Sequence, residues 1–175
     1  MSTLPQPHLY NPSTSHHLLP SIARLHAACI TTDHTLATFL PPLSHDKILA
    51  SWHEWNAQVE AGTRVIAVQL TSDPDSNEVA GVASLFMPET ETGRHRSEVG
   101  RLLVSPGFRK RGLARGLMRV LEDVAREDGR WMVVCSWIVF LEKVELEADD
   151  VLSRRSTRPS ARGPNMSIPK WDTKK

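Results

Sequence analysis

Residues 109–115, Arg109-Lys110-Arg111-Gly112-Leu113-Ala114-Arg115, set basic side chains around a glycine where a helical pattern begins. Just upstream, Arg101 to Val104 reads as an apolar strand that leaves through Ser105-Pro106-Gly107. A strand, a turn and a helix N-terminus in that order make an anion site. The first amides of a helix have no intrahelical partner, and the helix dipole adds about half a positive charge at that end. Gly112 and Ala114 leave room for a phosphate to approach the backbone, and Gly112 can take a φ that other residues resist. Arg109, Lys110, Arg111 and Arg115 add side-chain charge. The guest these residues predict is a polyphosphate. A P-loop is excluded, because no Gly-Lys-Ser/Thr ends the turn, and so is the dinucleotide fingerprint G-x-G-x-x-G.

The elements that must position this turn are legible in the spacing. Leu18, Ile22, Leu25 and Cys29 form one apolar helical stripe. A second helix is signalled at Ser44, an N-cap flanked by Leu43 and Ile48 at hydrophobic-staple positions. Its stripe is Ile48, Trp52, Trp55 and Val59, and Gly62 suits its end. Residues 64–71 and 78–87 read as paired strands around the turn Ser72 to Asn77, with Gly81 a candidate bulge. Residues 97–104 form a third strand. Residues 113–127 form a helix striped by Leu113, Leu117, Val120, Leu121 and Val124, with Glu122 and Arg126 spaced as an i,i+4 pair. Gly129 ends it, and residues 130–135 begin another strand. Helix, helix, hairpin, strand, helix, strand is an α+β order with a crossover helix packed on a sheet.

The composition narrows the function classes. A chain of 175 residues suits one domain, and a formal net charge of +1 makes no global case for nucleic acid or membrane binding. The longest apolar run, residues 131–141, is too short to span a bilayer as a helix. No basic segment followed by an apolar core opens the chain, so no signal peptide is expected. Cys29 and Cys135 both sit in apolar stretches and are expected as buried free thiols of a reducing compartment. The expected location is the cytoplasm, with the nucleus as the alternative. His16, His17 and His26 read as helix-surface residues, and His45 and His53 are too far apart for a zinc face, so no metal is expected. Ser105 lacks the His and Asp partners of a nucleophile.

The pattern Arg109-x-x-Gly112-x-Ala114, after a strand and before a helix, resembles the acetyl-coenzyme A signature Arg/Gln-x-x-Gly-x-Gly/Ala of the GCN5-related N-acetyltransferase (GNAT) superfamily. The resemblance covers residues 17–135, and the stretch 78–118 looks closest to small-molecule acetyltransferases of the tabtoxin-resistance type. It implies a three-layer α+β fold, a mostly antiparallel central sheet with helices on both faces. It also implies acetyl transfer from acetyl-CoA to a primary amine, a small molecule ranking above a protein. By the same resemblance, the pantetheine arm pairs with the backbone near Leu103 and Val104, and the amides of Arg109 to Ala114 hold the pyrophosphate. The Val104 N–H polarises the thioester carbonyl. Glu98, six residues before Val104 and on the same face by strict alternation, is the candidate base. As a plain strand-end carboxylate it would instead pair with Arg96 or Arg101.

The C-terminal third departs from that family. No tyrosine follows the motif, where the family carries a tyrosine as the acid for coenzyme A; Tyr10 is far upstream. The strand end reads Val134-Cys135-Ser136-Trp137, where the resembling subgroup has Asp-Thr. The closing C-terminal helix and strands are therefore expected to be lacking. Trp137, Leu141, Val144, Ala148 and Val151 would stripe an acidic helix. Residues 153–175 hold seven Lys or Arg against one Asp, a composition that predicts disorder. The expected organisation is a flexible lead-in over 1–15, an incomplete acetyl-CoA-binding domain over 16–141 and a charged tail over 142–175. Two other readings stand beside the enzyme. One is an acyl-CoA-binding pseudoenzyme. The other is a nucleic-acid-associated protein using the basic tail, which the tail's lack of interleaved aromatics disfavours.

Overall fold

Apolar periodicity becomes helix and sheet close to the expected bounds in the computed structural model, which describes residues 4–33, 39–40, 42–72 and 77–135. The expected C-terminal helix and tail lie outside the described residues. Leu18, Ile22, Leu25 and Cys29 are all buried, and the last three lie on α2 (Leu19–Asp33). Ser44 caps α3 (His45–Glu60), its hydroxyl accepting from the Lys47 N–H at 3.4 Å. Gly62, at φ +74°, follows the C-cap Ala61.

Five strands lie side by side in chain order. They are β1 (His8–Leu9), β2 (Arg64–Leu70), β3 (Val79–Phe86), β4 (Arg96–Val104) and β5 (Met132–Cys135). The first four are antiparallel. Strand β5 runs parallel to β4, which requires a crossover, and α4 (Leu113–Glu127) supplies it. Helices α2 and α3 cover one face, over Ile66, Val68 and Val82. Helix α4 covers the other, over Ala67, Ala83, Leu85 and Val99. This is the three-layer α+β fold with a mostly antiparallel sheet. Leu117 and Leu121 of α4 are fully buried, each contributing about 1.5–3 kcal/mol. Gly81 is what lets α4 sit so close, since a Cβ there would lie 3.0 Å from Leu117 Cδ1 and 3.4 Å from the Leu103 carbonyl.

Two bulges break the alternation of the strands. Between Gln69↔Gly81 and Leu70↔Val79 the extra residue is Ala80, next to the expected Gly81. Between Val82↔Leu103 and Ser84↔Gly100 the extra residue is on β4, where Arg101 takes φ +49°.

Several expectations are corrected by packing. The lead-in over 1–15 carries β1 and α1 (Pro12–Ser15), the latter capped by Asn11. Its anchor is Tyr10, 4% exposed, which donates its N–H to the Ile66 carbonyl at 2.8 Å and its hydroxyl to Asn56 Oδ1 at 2.7 Å. One buried aromatic outweighs the polar composition around it. His26 is buried, not on the surface, because α3 and Phe39 close over it; its ring meets Phe39 and Trp52 edge-on. Cys29 is buried but Cys135 is exposed. Arg126 pairs with Asp123, one turn back at i−3, where Glu122 was expected as its partner.

Candidate functional site

The turn before α4 is built as an uncapped helix start. Lys110 at φ +60° and Gly112 at φ +80° both take the left-handed conformation, which turns successive amides toward one side. Gly112 is the N-cap of α4 and has no side chain to satisfy the first amides. Its carbonyl already accepts the Gly116 N–H at 3.0 Å. A Cβ on Gly112 would meet nothing within 4 Å, so the space in front of the turn is open. Lys110, Arg111 and Arg115 are exposed, and Ala114 is half-buried. Leu113 is buried against the sheet, leaving only its amide to serve the turn. These main-chain donors and surrounding cations fit a pyrophosphate.

Arg109 has a different occupation from the one its sequence suggests. Its Nη1 and Nη2 hold both carboxylate oxygens of Asp33 at 2.7 Å, and its Nε donates to the Val104 carbonyl at 3.3 Å. The guanidinium therefore ties the end of α2 to the end of β4. The Cys29 thiol also approaches the Val104 carbonyl, at 3.5 Å.

The end of β4 turns one main-chain N–H outward. Ser105 N–H donates to the Ala80 carbonyl at 2.9 Å. Bonded and non-bonded pairs alternate along an antiparallel ladder, so the next pair, Val104↔Gly81, points its main-chain groups away from each other. The Val104 N–H thus faces the outer edge of β4. Leu103, in register with Val82, turns its groups back toward β3 instead. The described residues of β5 pair with Arg96 to Val99 only, so this edge lies beyond that pairing.

Glu98 and Val104 do not share a face as strict alternation implied. Their partners on β3 are Phe86 and Gly81, five residues apart and therefore on opposite faces. The bulge at Arg101 inverts the parity. Glu98 lies exposed on the α2/α3 side, in the cross-strand row Arg64–Phe86–Glu98. It acts on Arg64 of β2, whose charged form Glu98 favours.

Around that row stands a cluster that sequence reasoning missed. The guanidinium carbons of Arg64 and Arg101 each lie 3.9 Å from the Trp55 ring centroid. Arg64 donates to Gln58 Oε1 at 2.7 Å and Ser84 Oγ at 3.0 Å, and Arg101 donates to Ser51 Oγ at 2.7 Å. Burial pushes both guanidinium groups down to about 10. Gly100 lies beneath Trp55, and a Cβ there would meet the indole at an ordinary contact distance of 3.5 Å. The available signal was an arginine inside an apolar strand, at Arg101. Among the described residues no three His, Cys, Asp or Glu side chains group as metal ligands, and no helix is long and apolar enough to cross a membrane.

Comparison with known proteins agrees with this architecture. The chain is similar in fold to a Trypanosoma brucei acetyltransferase, at 19% identity and TM-score 0.52, over 95% of this chain and 100% of that one. It is also similar to an aminoglycoside acetyltransferase from an uncultured soil metagenomic sample, solved with sisomicin, at 17% identity and TM-score 0.54, over 97% and 96% of the two chains. A third likeness is to glucosamine-6-phosphate N-acetyltransferase from Arabidopsis thaliana, at 12% identity and TM-score 0.50, over 97% and 98%. No curated protein matches by sequence. The profile of the acetyltransferase (GNAT) family matches residues 30–141, which takes in the turn before α4, the bulged strand and most of the sheet. The chain belongs to the GNAT acetyltransferase family.

Proposed function

We propose that this chain transfers an acetyl group from acetyl-CoA to a primary amine of a small molecule. The observation that carries the reading is the pairing of two open donors at one end of the sheet: the outward Val104 N–H and the uncapped start of α4 at Gly112. Acetyl-CoA supplies the acetyl group as a thioester. The amides from Arg109 to Ala114 hold its pyrophosphate, with Lys110, Arg111 and Arg115 adding charge. Val104 donates its N–H to the thioester oxygen, where negative charge grows as the amine attacks. An amine of pKa ~10 is mostly protonated at neutral pH and must lose a proton first. Glu98, about 17 Å along the strand from Val104, takes that proton through a chain of waters. The new bond is N–C and the broken one C–S, the thiolate leaving with the electron pair.

The absence of any tyrosine after Tyr10 favours a second reading, acyl-CoA binding without turnover. Calorimetric titration with acetyl-CoA, followed by assay of free thiol release with mixed amines, separates the two. Binding with amine-dependent thiol release supports the transferase. Binding alone supports the second reading. Gly112→Val is the control: it strains φ by about 1–2 kcal/mol in open space, so the fold should survive while acetyl-CoA affinity falls at least tenfold. Unchanged affinity in that variant refutes the cradle.

A further inference from the structure

The Arg64–Trp55–Arg101 cluster has a donor left over among the described residues. Arg101 Nη1 is buried with no hydrogen-bond partner. Among the described residues neither Arg64 nor Arg101 has a carboxylate within ion-pair distance. Both guanidinium carbons lie 3.9 Å from the same indole centroid, so they are within twice that distance of each other. Two cations that close and out of bulk water, offset by Glu98 and Glu54 only from beyond ion-pair distance, weaken each other and oppose folding. Burial and mutual repulsion accordingly weaken the charged form of Arg101. Arg101 is further held at φ +49°, a conformation that costs an ordinary residue about 1–2 kcal/mol. Strain of this kind persists where it serves a site.

The cluster sits beside the chemistry proposed above. Arg101 is three residues before Val104 on the same strand. Arg64 shares a cross-strand row with Glu98, and adjacent strands are ~4.8 Å apart, so the two Cα atoms are about two strand spacings apart. Glu98, Arg64 and Arg101 all lie on the α2/α3 side of the sheet.

Building on the acetyl-transfer reading, we propose that the acceptor amine also carries an anionic group, a carboxylate or a phosphate, which Arg101 and Arg64 receive while Glu98 faces the amine. Such a group supplies an acceptor for Arg101 Nη1 and a negative charge closer than Glu98 and Glu54 bring theirs. Arg101 is then the principal specificity residue, and Trp55 holds the two guanidinium planes in place.

Matched amine pairs test this with the full chain. Glycine is compared with glycinamide for the carboxylate, and phosphoethanolamine with ethanolamine for the phosphate, with spermidine as a cationic control. At least one anionic member should show a kcat/KM tenfold or more above its neutral partner, and the arm that does so names the anion. Arg101→Met should raise KM for that amine at least tenfold. Its kcat, and KM for the neutral amine, should stay within twofold. Arg101→Lys should recover part of the loss, and Arg64→Met gives a second variant should Arg101→Met fail to fold. Equal or better use of neutral or cationic amines overturns the proposal, as does a uniform loss with every amine in Arg101→Met. Calorimetry with the same pairs in the presence of coenzyme A reads the site without turnover. Anion-dependent binding that Arg101→Met abolishes supports the proposal, and indifference to the anion overturns it. Titration with acetyl-CoA alone reports separately on the acetyl-transfer reading.

Discussion

Removing either side of the Arg109–Asp33 pair should loosen the fold more than it weakens cofactor binding. The pair is bidentate at 2.7 Å, and the two side chains are 37% and 34% exposed. In bulk water two unit charges at that separation attract by only ~1.5 kcal/mol, and exposed pairs yield about 0.2–1 kcal/mol once entropy and screening are counted. Bidentate geometry puts this one near the upper end, at about 1 kcal/mol. A double-mutant cycle of Arg109→Ala and Asp33→Ala, followed by urea denaturation, should give that coupling energy. A loss of this size lowers the melting temperature by roughly 2–4 °C for a chain of this length. In ~1 M salt, where the Debye length is about 3 Å, the coupling should shrink. Acetyl-CoA titrated into the same variants separates brace from ligand. Arg109→Ala should lose less affinity than Gly112→Val, because the guanidinium already serves Asp33 and the Val104 carbonyl. A coupling energy near zero refutes the brace. So does an Arg109→Ala variant of unchanged stability whose acetyl-CoA affinity collapses.

Three further outcomes follow from the packing. Gly81→Val places branched carbon where Leu117 Cδ1 is already 3.0 Å from an ideal Cβ; it should destabilise by about 1–3 kcal/mol, read by urea denaturation. His26 is held down to about 4 by burial, with Arg101 adding to it. Since the folded value lies below the unfolded ~6.5, its contribution is full above pH 6.5 and lost as pH falls toward 4. His26→Gln should flatten that limb of the stability–pH curve, and an unchanged limb refutes the assignment. Tyr10 is pushed up to about 12 by burial, with Glu60 adding to it. Its contribution is full below pH 10 and lost as pH rises toward 12. Tyr10→Phe should remove that alkaline loss, and at neutral pH it should cost about 1–3 kcal/mol by stranding Asn56 Oδ1. Chemical denaturation across pH checks both.

Local chemistry was enough for the elements and for the uncapped turn before α4. Helix α4 has the bounds its stripe implied, Leu113–Glu127, because 3.6-residue periodicity and a terminal glycine act within one turn. Ser44 and Gly112 acted as cap and left-handed turn for the same reason: each depends on its own backbone and a few neighbours. What tertiary structure alone decided depends on residues far apart in the chain. Arg109 and Asp33 are separated by 76 positions, so no local pattern could show the motif arginine bound to α2. The face of Glu98 was set by one extra residue on β4, since a single bulge inverts the alternation from which faces are read. His26 and Tyr10 look like surface and lead-in residues until α3 and the sheet close around them. The convergence of Arg64 and Arg101 on Trp55 joins β2, β4 and α3. Periodicity specifies which side of an element is apolar. Which polar groups meet beneath it is specified by register and packing, which exist only when the chain is folded.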